Sequence, residues 1–150
     1  MPECTGGLGL GAWVAVSQGS AAAGTIYYPL EFTNTSRAHL FPVRLPRRVR
    51  DQRTGQQLGG PAGWVSLSGA QRVILAPGVT AHTILAYHDA AVSTEPGCDP
   101  VYTTFEMRIY PPDRYLATYA AFDLDACSHV GVAYMKIIEP IRAGIGTING

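Results

Sequence analysis

The sequence has no long apolar run and no excess of either charge, and each shortage excludes a class of protein. Lys136 is the one lysine among eleven basic residues, and eleven acidic residues bring the formal net charge at pH 7 to zero. A neutral chain creates no overall field that recruits nucleic acid or an anionic membrane. No stretch approaches the roughly 18 apolar residues of a transmembrane helix. We therefore expect no nucleic-acid partner and no transmembrane segment in this chain.

Catalytic and cofactor motifs are also lacking. The pattern Gly-x-Ser-x-Gly of a nucleophile elbow does not occur. The glycine-rich residues 6–9 precede a predicted strand, whereas a phosphate site of this kind needs a following helix. The histidines do not have the spacing of a metal site; they are His39, His82, His88 and His129. We expect no cofactor, no metal site and no catalytic residue.

The clearest positive signal is a period of two in residues 24–36. Large apolar side chains take every second position, at Ile26, Tyr28, Leu30 and Phe32. The intervening positions hold Tyr27, Pro29, Glu31 and Thr33. This alternation predicts a strand buried on one face only, and Asn34-Thr35-Ser36 supplies the side chains that favour a turn after it.

Similar segments recur along the chain with short turns rich in glycine and proline between them. They cover residues 8–17, 25–34, 39–50, 71–76, 79–88, 101–110, 114–122 and 131–139. No segment has sustained helical periodicity, and residues 61–70 read as irregular. Seven or eight short strands over residues 1–150 predict one all-β domain, a two-sheet antiparallel β-sandwich with immunoglobulin-like topology. A closed barrel is the alternative.

The apolar residues near the N-terminus predict a first strand and not a secretion signal. A signal peptide needs a basic region before its apolar stretch, but Glu3 stands there, and Gly9 and Gly11 interrupt the stretch. Alternate positions are instead taken by Leu8, Leu10, Ala12, Val14 and Val16. If the protein is exported, we expect its leader to precede Met1.

Two of the three cysteines, Cys98 and Cys127, flank a predicted hairpin that turns at residues 111–113. The hairpin brings its two ends together, so these residues are placed either for a disulfide or for two buried thiols in a reducing compartment. A disulfide would close a loop of about 30 residues and contribute on the order of 3–4 kcal/mol. Cys4 has no evident partner.

Half of the ten arginines lie between residues 44 and 53, at Arg44, Arg47, Arg48, Arg50 and Arg53. Guanidinium groups at this density could bind a phosphate or carboxylate. Charge on an edge strand also prevents edge-to-edge aggregation, and we favour that interpretation. Three tyrosines predicted to point outward complete a candidate interaction surface, at Tyr27, Tyr102 and Tyr110. Cross-strand packing explains the same tyrosines without a partner.

Six short phrases, in this order, resemble one protein family. They are Ala23-Gly24-Thr25, Pro29-Leu30-Glu31-Phe32-Thr33-Asn34-Thr35-Ser36, Leu75-Ala76-Pro77-Gly78, Cys98-Asp99-Pro100-Val101, Ile109-Tyr110-Pro111-Pro112 and Ala126-Cys127-Ser128. With these phrases the chain resembles the actinobacterial domain of unknown function 4232, found in secreted proteins and lipoproteins. The resemblance covers roughly residues 4–140.

The resemblance implies a β-sandwich pinned by disulfides in the cell envelope or the secreted fraction. It favours a disulfide between Cys98 and Cys127. It also implies a second disulfide from an early cysteine, but His39 occupies the partner position here, which leaves Cys4 unpaired. The family carries no established activity, so the resemblance supplies fold and location but no chemistry.

The sequence therefore predicts a non-catalytic binding or interaction module of the actinobacterial cell envelope, whose partner is an unknown protein, glycan or lipid. A small hydrolase that uses His82 or His88 with a nearby carboxylate is one alternative. A purely structural envelope domain is the other.

Overall fold

A computed structural model describes residues 10–15, 20–22, 24–37, 48–53, 56–58, 63–64, 73–89, 93, 96–101, 105–110, 118–122, 125–128 and 134–146. Every regular element in these ranges is a strand, and none is a helix, so the all-β prediction is confirmed. Accordingly, these ranges contain no helix with the length and apolar character needed to cross a membrane.

Four of the described strands have six residues or more, and the others are shorter. In chain order they are β1 Leu10–Val14, β2 Ser20–Ala22, β3 Thr25–Asn34, β4 Arg48–Arg53, β5 Gln56–Leu58, β6 Gly63–Trp64, β7 Thr80–His88, β8 Pro100–Val101, β9 Phe105–Tyr110, β10 Thr118–Phe122, β11 Ala126–Cys127, β12 Met135–Ile137 and β13 Arg142–Ala143.

One large sheet is built around the antiparallel pair of β3 and β7. Its strand order is β1-β3-β7-β12-β6, with β2 also on β3 and β13 also on β7. A second sheet has the order β10-β9-β4-β5, and β8 pairs with β11. The pair of β6 and β12 is parallel, so the prediction of purely antiparallel sheets is wrong at this point. A two-residue strand such as β6 carries no period that could have indicated its direction.

The longest strands agree best with the sequence. Strand β3 covers the predicted 25–34, and the predicted 79–88 corresponds to β7 at Thr80–His88. The predicted 39–50 does not agree, because β4 begins at Arg48 and runs to Arg53. Within the predicted 71–76, the described residues contain an isolated bridge at Leu75 and no longer strand. Residues 61–70, predicted to be irregular, contain β6.

The core lies against one face of the large sheet, which we call the core face. Leu30, Leu85 and Ile137 are fully buried there. Val14 of β1 and Ala120 of β10 belong to the same buried cluster, so the second sheet contributes to this core. Burial of these side chains removes apolar surface from water, which is the main favourable term in folding.

The opposite face of the large sheet, the outer face, is not the solvated surface that the alternation in β3 predicted. Pro29 and Glu31 lie on it, and both are buried. The prediction of a strand buried on one face only is therefore wrong for the middle of β3. The C-terminal segment covers this part of the outer face, and that covering defines the site described next.

Candidate functional site

Four residues form a row across the outer face. The strand register places Trp13 of β1 opposite Glu31 of β3, Glu31 opposite His82 of β7, and His82 opposite Arg142 of β13. Directly opposed residues of antiparallel strands share a face and have Cβ atoms about 5 Å apart. Trp13 is 40% exposed and Glu31 is fully buried. The row therefore has a buried carboxyl group beside a half-exposed indole and an imidazole.

Residues 142–146, which we call the C-terminal strap, close over this row. Arg142 and Ala143 pair with β7, and the Gly144 amide donates to the Thr80 carbonyl at 2.9 Å. The Gly146 amide then donates to Oε1 of Glu31 at 2.8 Å. Nδ1 of His82 lies 2.7 Å from the Gly144 carbonyl oxygen. The strap is thus held by its own backbone and by the two central side chains of the row.

The hydrogen bond at His82 determines where the imidazole carries a hydrogen. A carbonyl oxygen only accepts, so Nδ1 must be the donor and must be protonated. His82 therefore acts as a donor to main chain.

The strap fits closely because residue 146 is glycine. A Cβ atom built on Gly146 would lie 2.7 Å from Cδ2 of His82 and 2.9 Å from Cβ of Pro29. Gly144 has a φ of 90°, in the left-handed region that favours glycine. The two glycines therefore serve different purposes, one a backbone turn and the other a close approach to β3 and β7.

Glu31 lies in an environment that favours its neutral form. Burial raises the pKa of the Glu31 carboxyl above its ordinary value of 4.5. The hydrogen bond from Gly146 and a positive charge on His82 act in the opposite direction but do not reverse the shift. Oε2 is buried and has no hydrogen-bond partner among the described residues. An ionised Glu31 would therefore place a partly unpaired charge inside the protein.

The hydrolase alternative required a histidine and a carboxylate that can act together. The structure places Glu31 beside His82, but each bonds to the strap backbone, at Gly146 and Gly144 respectively. Glu31 also has no exposed surface. The arrangement therefore presents no carboxylate to a substrate while the strap is in place. Within the described ranges, no three His, Cys, Asp or Glu residues are placed to hold a metal ion.

A second feature is the disulfide. Cys98 and Cys127 are joined, with their Cα atoms 4.4 Å apart, which is the pairing that the resemblance implied. Both residues are buried. The Ser128 amide donates to the Cys98 carbonyl at 2.8 Å, and β8 pairs with β11 at the same place. Cys4 and His39, named in the first-disulfide prediction, lie outside the described residues.

The predicted arginine and tyrosine surface is divided between the two sheets. The register places Arg48 of β4 opposite Tyr110 of β9, whereas Tyr27 lies on β3 in the large sheet and is half-buried. Arg50 and Arg53 also lie on β4. The remaining members of the set, Arg44, Arg47 and Tyr102, lie outside the described residues.

The edge-strand interpretation of these arginines stays a prediction. Residues 51–53 pair with β5 on one side, and residues 48–52 pair with β9 on the other. Among the described strands, the two pairings overlap at Asp51 and Gln52. Arg48, Arg50 and Arg53 lie where β4 pairs on one side.

Sequence reasoning missed the role of Glu31. Its position between Leu30 and Phe32 follows the pattern of a solvent-facing residue in a half-buried strand. Its partner Gly146 stands 115 positions away. The only local signal was an acidic side chain within an otherwise apolar strand, and that signal does not indicate which segment covers it.

Comparison with known proteins supplies a family and no more. Residues 10–136 match the model of a family whose description is "Domain of unknown function (DUF4232)". Neither a curated protein nor a solved structure matches the chain. The strap lies just beyond the matched residues, whereas Glu31, His82 and both bonded cysteines lie within them.

Proposed function

The chain belongs to the family of domain of unknown function 4232, and we propose that it is a non-catalytic interaction module of the actinobacterial cell envelope or secreted fraction. The proposal includes an immunoglobulin-like arrangement of the two sheets as a sandwich. The shared burial of Val14 and Ala120, from different sheets, supports that arrangement.

The disulfide between Cys98 and Cys127 is the observation that supports the proposed location. Disulfides form and persist in oxidising compartments and are rare where thiols are kept reduced. This one is buried and encloses β9 and β10, so it fixes a large part of the second sheet. An exported protein is the setting in which such a bond forms during folding.

The second sheet is the proposed interaction surface. Arg48 and Tyr110 are register partners on β4 and β9, with Arg50 and Arg53 further along β4. Arginine and tyrosine are enriched in the buried centres of interfaces, because both combine apolar contact with hydrogen bonding. The partner is a protein, glycan or lipid of the envelope.

The location is tested by counting thiols in protein isolated from its native compartment. Alkylation of the unfolded protein in denaturant without reductant, followed by intact-mass analysis, should add at most one label, on Cys4. The same procedure after reduction and unfolding should add three. Three labels without reductant would remove the basis for both the disulfide in the cell and the proposed location.

Binding is tested with the purified full chain and three defined probes, which are peptidoglycan, vesicles of anionic envelope phospholipid, and secreted protein from the same cells. A variant in which Arg48, Arg50 and Arg53 are changed to Gln should lose binding to one probe. Arg142→Gln removes an exposed arginine from the other sheet and is the matched control that should retain binding.

Absence of binding to all three probes would favour the purely structural alternative. Hydrolysis of ester or peptide substrates that is lost in His82→Ala would favour the hydrolase.

A further inference from the structure

The C-terminal strap depends on two titratable side chains for its attachment. Its regular pairing with β7 is only two residues long, at Arg142 and Ala143. Beyond it, the strap is held by the Gly144 amide on Thr80, by His82 on the Gly144 carbonyl, and by the Gly146 amide on Glu31. Glu31 therefore accepts the hydrogen bond that holds Gly146, the last described residue of this segment.

We propose that Glu31 makes the strap a pH-responsive cover of the outer face, closed while Glu31 is protonated and opened as Glu31 releases its proton.

The direction follows from burial of the carboxyl group. In the closed strap Glu31 is fully buried and its Oε2 has no hydrogen-bond partner among the described residues. The protonated acid still offers Oε1 as an acceptor to Gly146, and it buries no charge. An ionised carboxylate in the same place lacks the water that would solvate Oε2, and opening the strap restores that water. Release of the proton and release of the strap therefore favour each other.

The groups that face Glu31 do not reverse this direction. Opposite it on β1 is Trp13, which carries no charge, and opposite it on β7 is His82. From β13, Arg142 is the register partner of His82 and lies 3.6 Å from the Glu139 carboxylate. A positive charge on His82 counteracts the effect of burial, yet the net effect on the Glu31 pKa is a rise.

Opening the strap would uncover a specific surface. The Gly146 backbone lies against Pro29 and the His82 ring, so its departure exposes both together with the Glu31 carboxylate. Trp13 already stands partly exposed beside them. The uncovered outer face would therefore combine an anionic group, an imidazole and an indole, and it would be available only on the alkaline side of the transition.

Amide hydrogen exchange by nuclear magnetic resonance on the full chain between pH 4 and 8 tests the proposal. After correction for intrinsic exchange, the protection of the Gly144 and Gly146 amides should fall with rising pH above 4.5, the ordinary pKa of a glutamate. The steepest fall is about tenfold per pH unit, the limit for release of one proton. The His88 amide bonds to the Tyr134 carbonyl on the same β7 strand outside the strap, and its protection should not change.

Two variants make the outcome decisive. Glu31→Gln keeps an acceptor for Gly146 but cannot ionise, so strap protection should become independent of pH. Gly146→Ala forces a Cβ into contact with His82 and Pro29, so the strap should be open at every pH and the Glu31 carboxyl should titrate near its ordinary value. The proposal is overturned if strap protection in the wild type does not change with pH, or if Glu31→Gln retains the same pH dependence.

Discussion

The side-chain amide of Asn34 donates a hydrogen bond of 2.9 Å to the carbonyl of Leu75, which stands 41 positions further along the chain. Asn34 is fully buried, and its Oδ1 also accepts from the amide of Ser36 at 2.9 Å. Its backbone carbonyl accepts from the Gly78 amide at 2.8 Å. One residue thus joins the end of β3 to the turn that precedes β7.

Asn34→Ala should destabilise the protein by about 2–3 kcal/mol, because it leaves the buried Leu75 carbonyl without its donor and removes the acceptor of Ser36. The measurement is the free energy of unfolding from urea titration. Ser36→Ala keeps the bond from Asn34 to Leu75 and is the matched control, with an expected cost below about 1 kcal/mol. Equal costs for the two variants would show that the contact with Leu75 contributes little.

This contact also explains why the family phrases were informative without indicating an activity. The phrase that ends in Asn34-Thr35-Ser36 bonds to the phrase Leu75-Ala76-Pro77-Gly78, and Cys98 and Cys127 from two further phrases form the disulfide. The segments that identify the family thus contain residues that bond distant parts of the chain to each other. Their recognition predicts the fold and the cysteine pairing, while the outer-face site depends on Gly146, beyond the family match.

The parts of the fold that the sequence predicted best are strands long enough for the alternation of apolar and polar residues to be visible. Strands β3 and β7 have ten and nine residues, so alternation is visible in both. Strand β13 has two residues, and no period exists at that length. Burial of Glu31 could not be predicted either, because it depends on where the C-terminal segment packs, and alternation describes one strand at a time.

Replacement of both bonded cysteines by alanine should lower the free energy of unfolding by about 3–4 kcal/mol, the chain-entropy value for a sequence separation of 29 residues. Urea titration of the double variant measures it. Cys4→Ser leaves the disulfide intact and is the control. A loss below about 1 kcal/mol would mean that other contacts already hold β8 against β11.

The same disulfide should resist reduction in the folded protein, since Cys98 is 2% exposed and Cys127 is fully buried. A thiolate must reach a sulfur atom to open the bond. We expect dithiothreitol to reduce this bond more slowly in the folded protein than in urea-unfolded protein, because only the fraction of folded molecules that has opened can react. Equal rate constants for the folded and the unfolded protein would contradict the burial of this bond.

Gly146→Ala should cost about 1–3 kcal/mol, because the added Cβ would lie 2.7 Å from Cδ2 of His82 unless the strap shifts. Ile145→Ala changes the neighbouring residue, which is 72% exposed, and is expected to alter stability by less than about 0.5 kcal/mol. Thermal and urea unfolding of the two variants provide the comparison. An unchanged Gly146→Ala protein would indicate that the strap does not press against β3 and β7 in solution.

The free energy of unfolding should also depend on pH because of Glu31. Its folded-state pKa is raised above 4.5, so between 4.5 and the folded value the native state binds more protons than the unfolded state. Stability from this group is therefore fully present below pH 4.5 and is lost as pH rises through the folded pKa.

Glu31→Gln removes the ionisation, so its unfolding free energy relative to wild type should increase with pH in that window, by at most about 1.4 kcal/mol per pH unit. Urea titrations of both proteins at half-unit steps from pH 4 to 8 give this difference directly. A difference that stays constant would mean that folding does not shift the Glu31 pKa, and one that decreases with pH would mean that the folded protein holds Glu31 as a stabilised anion.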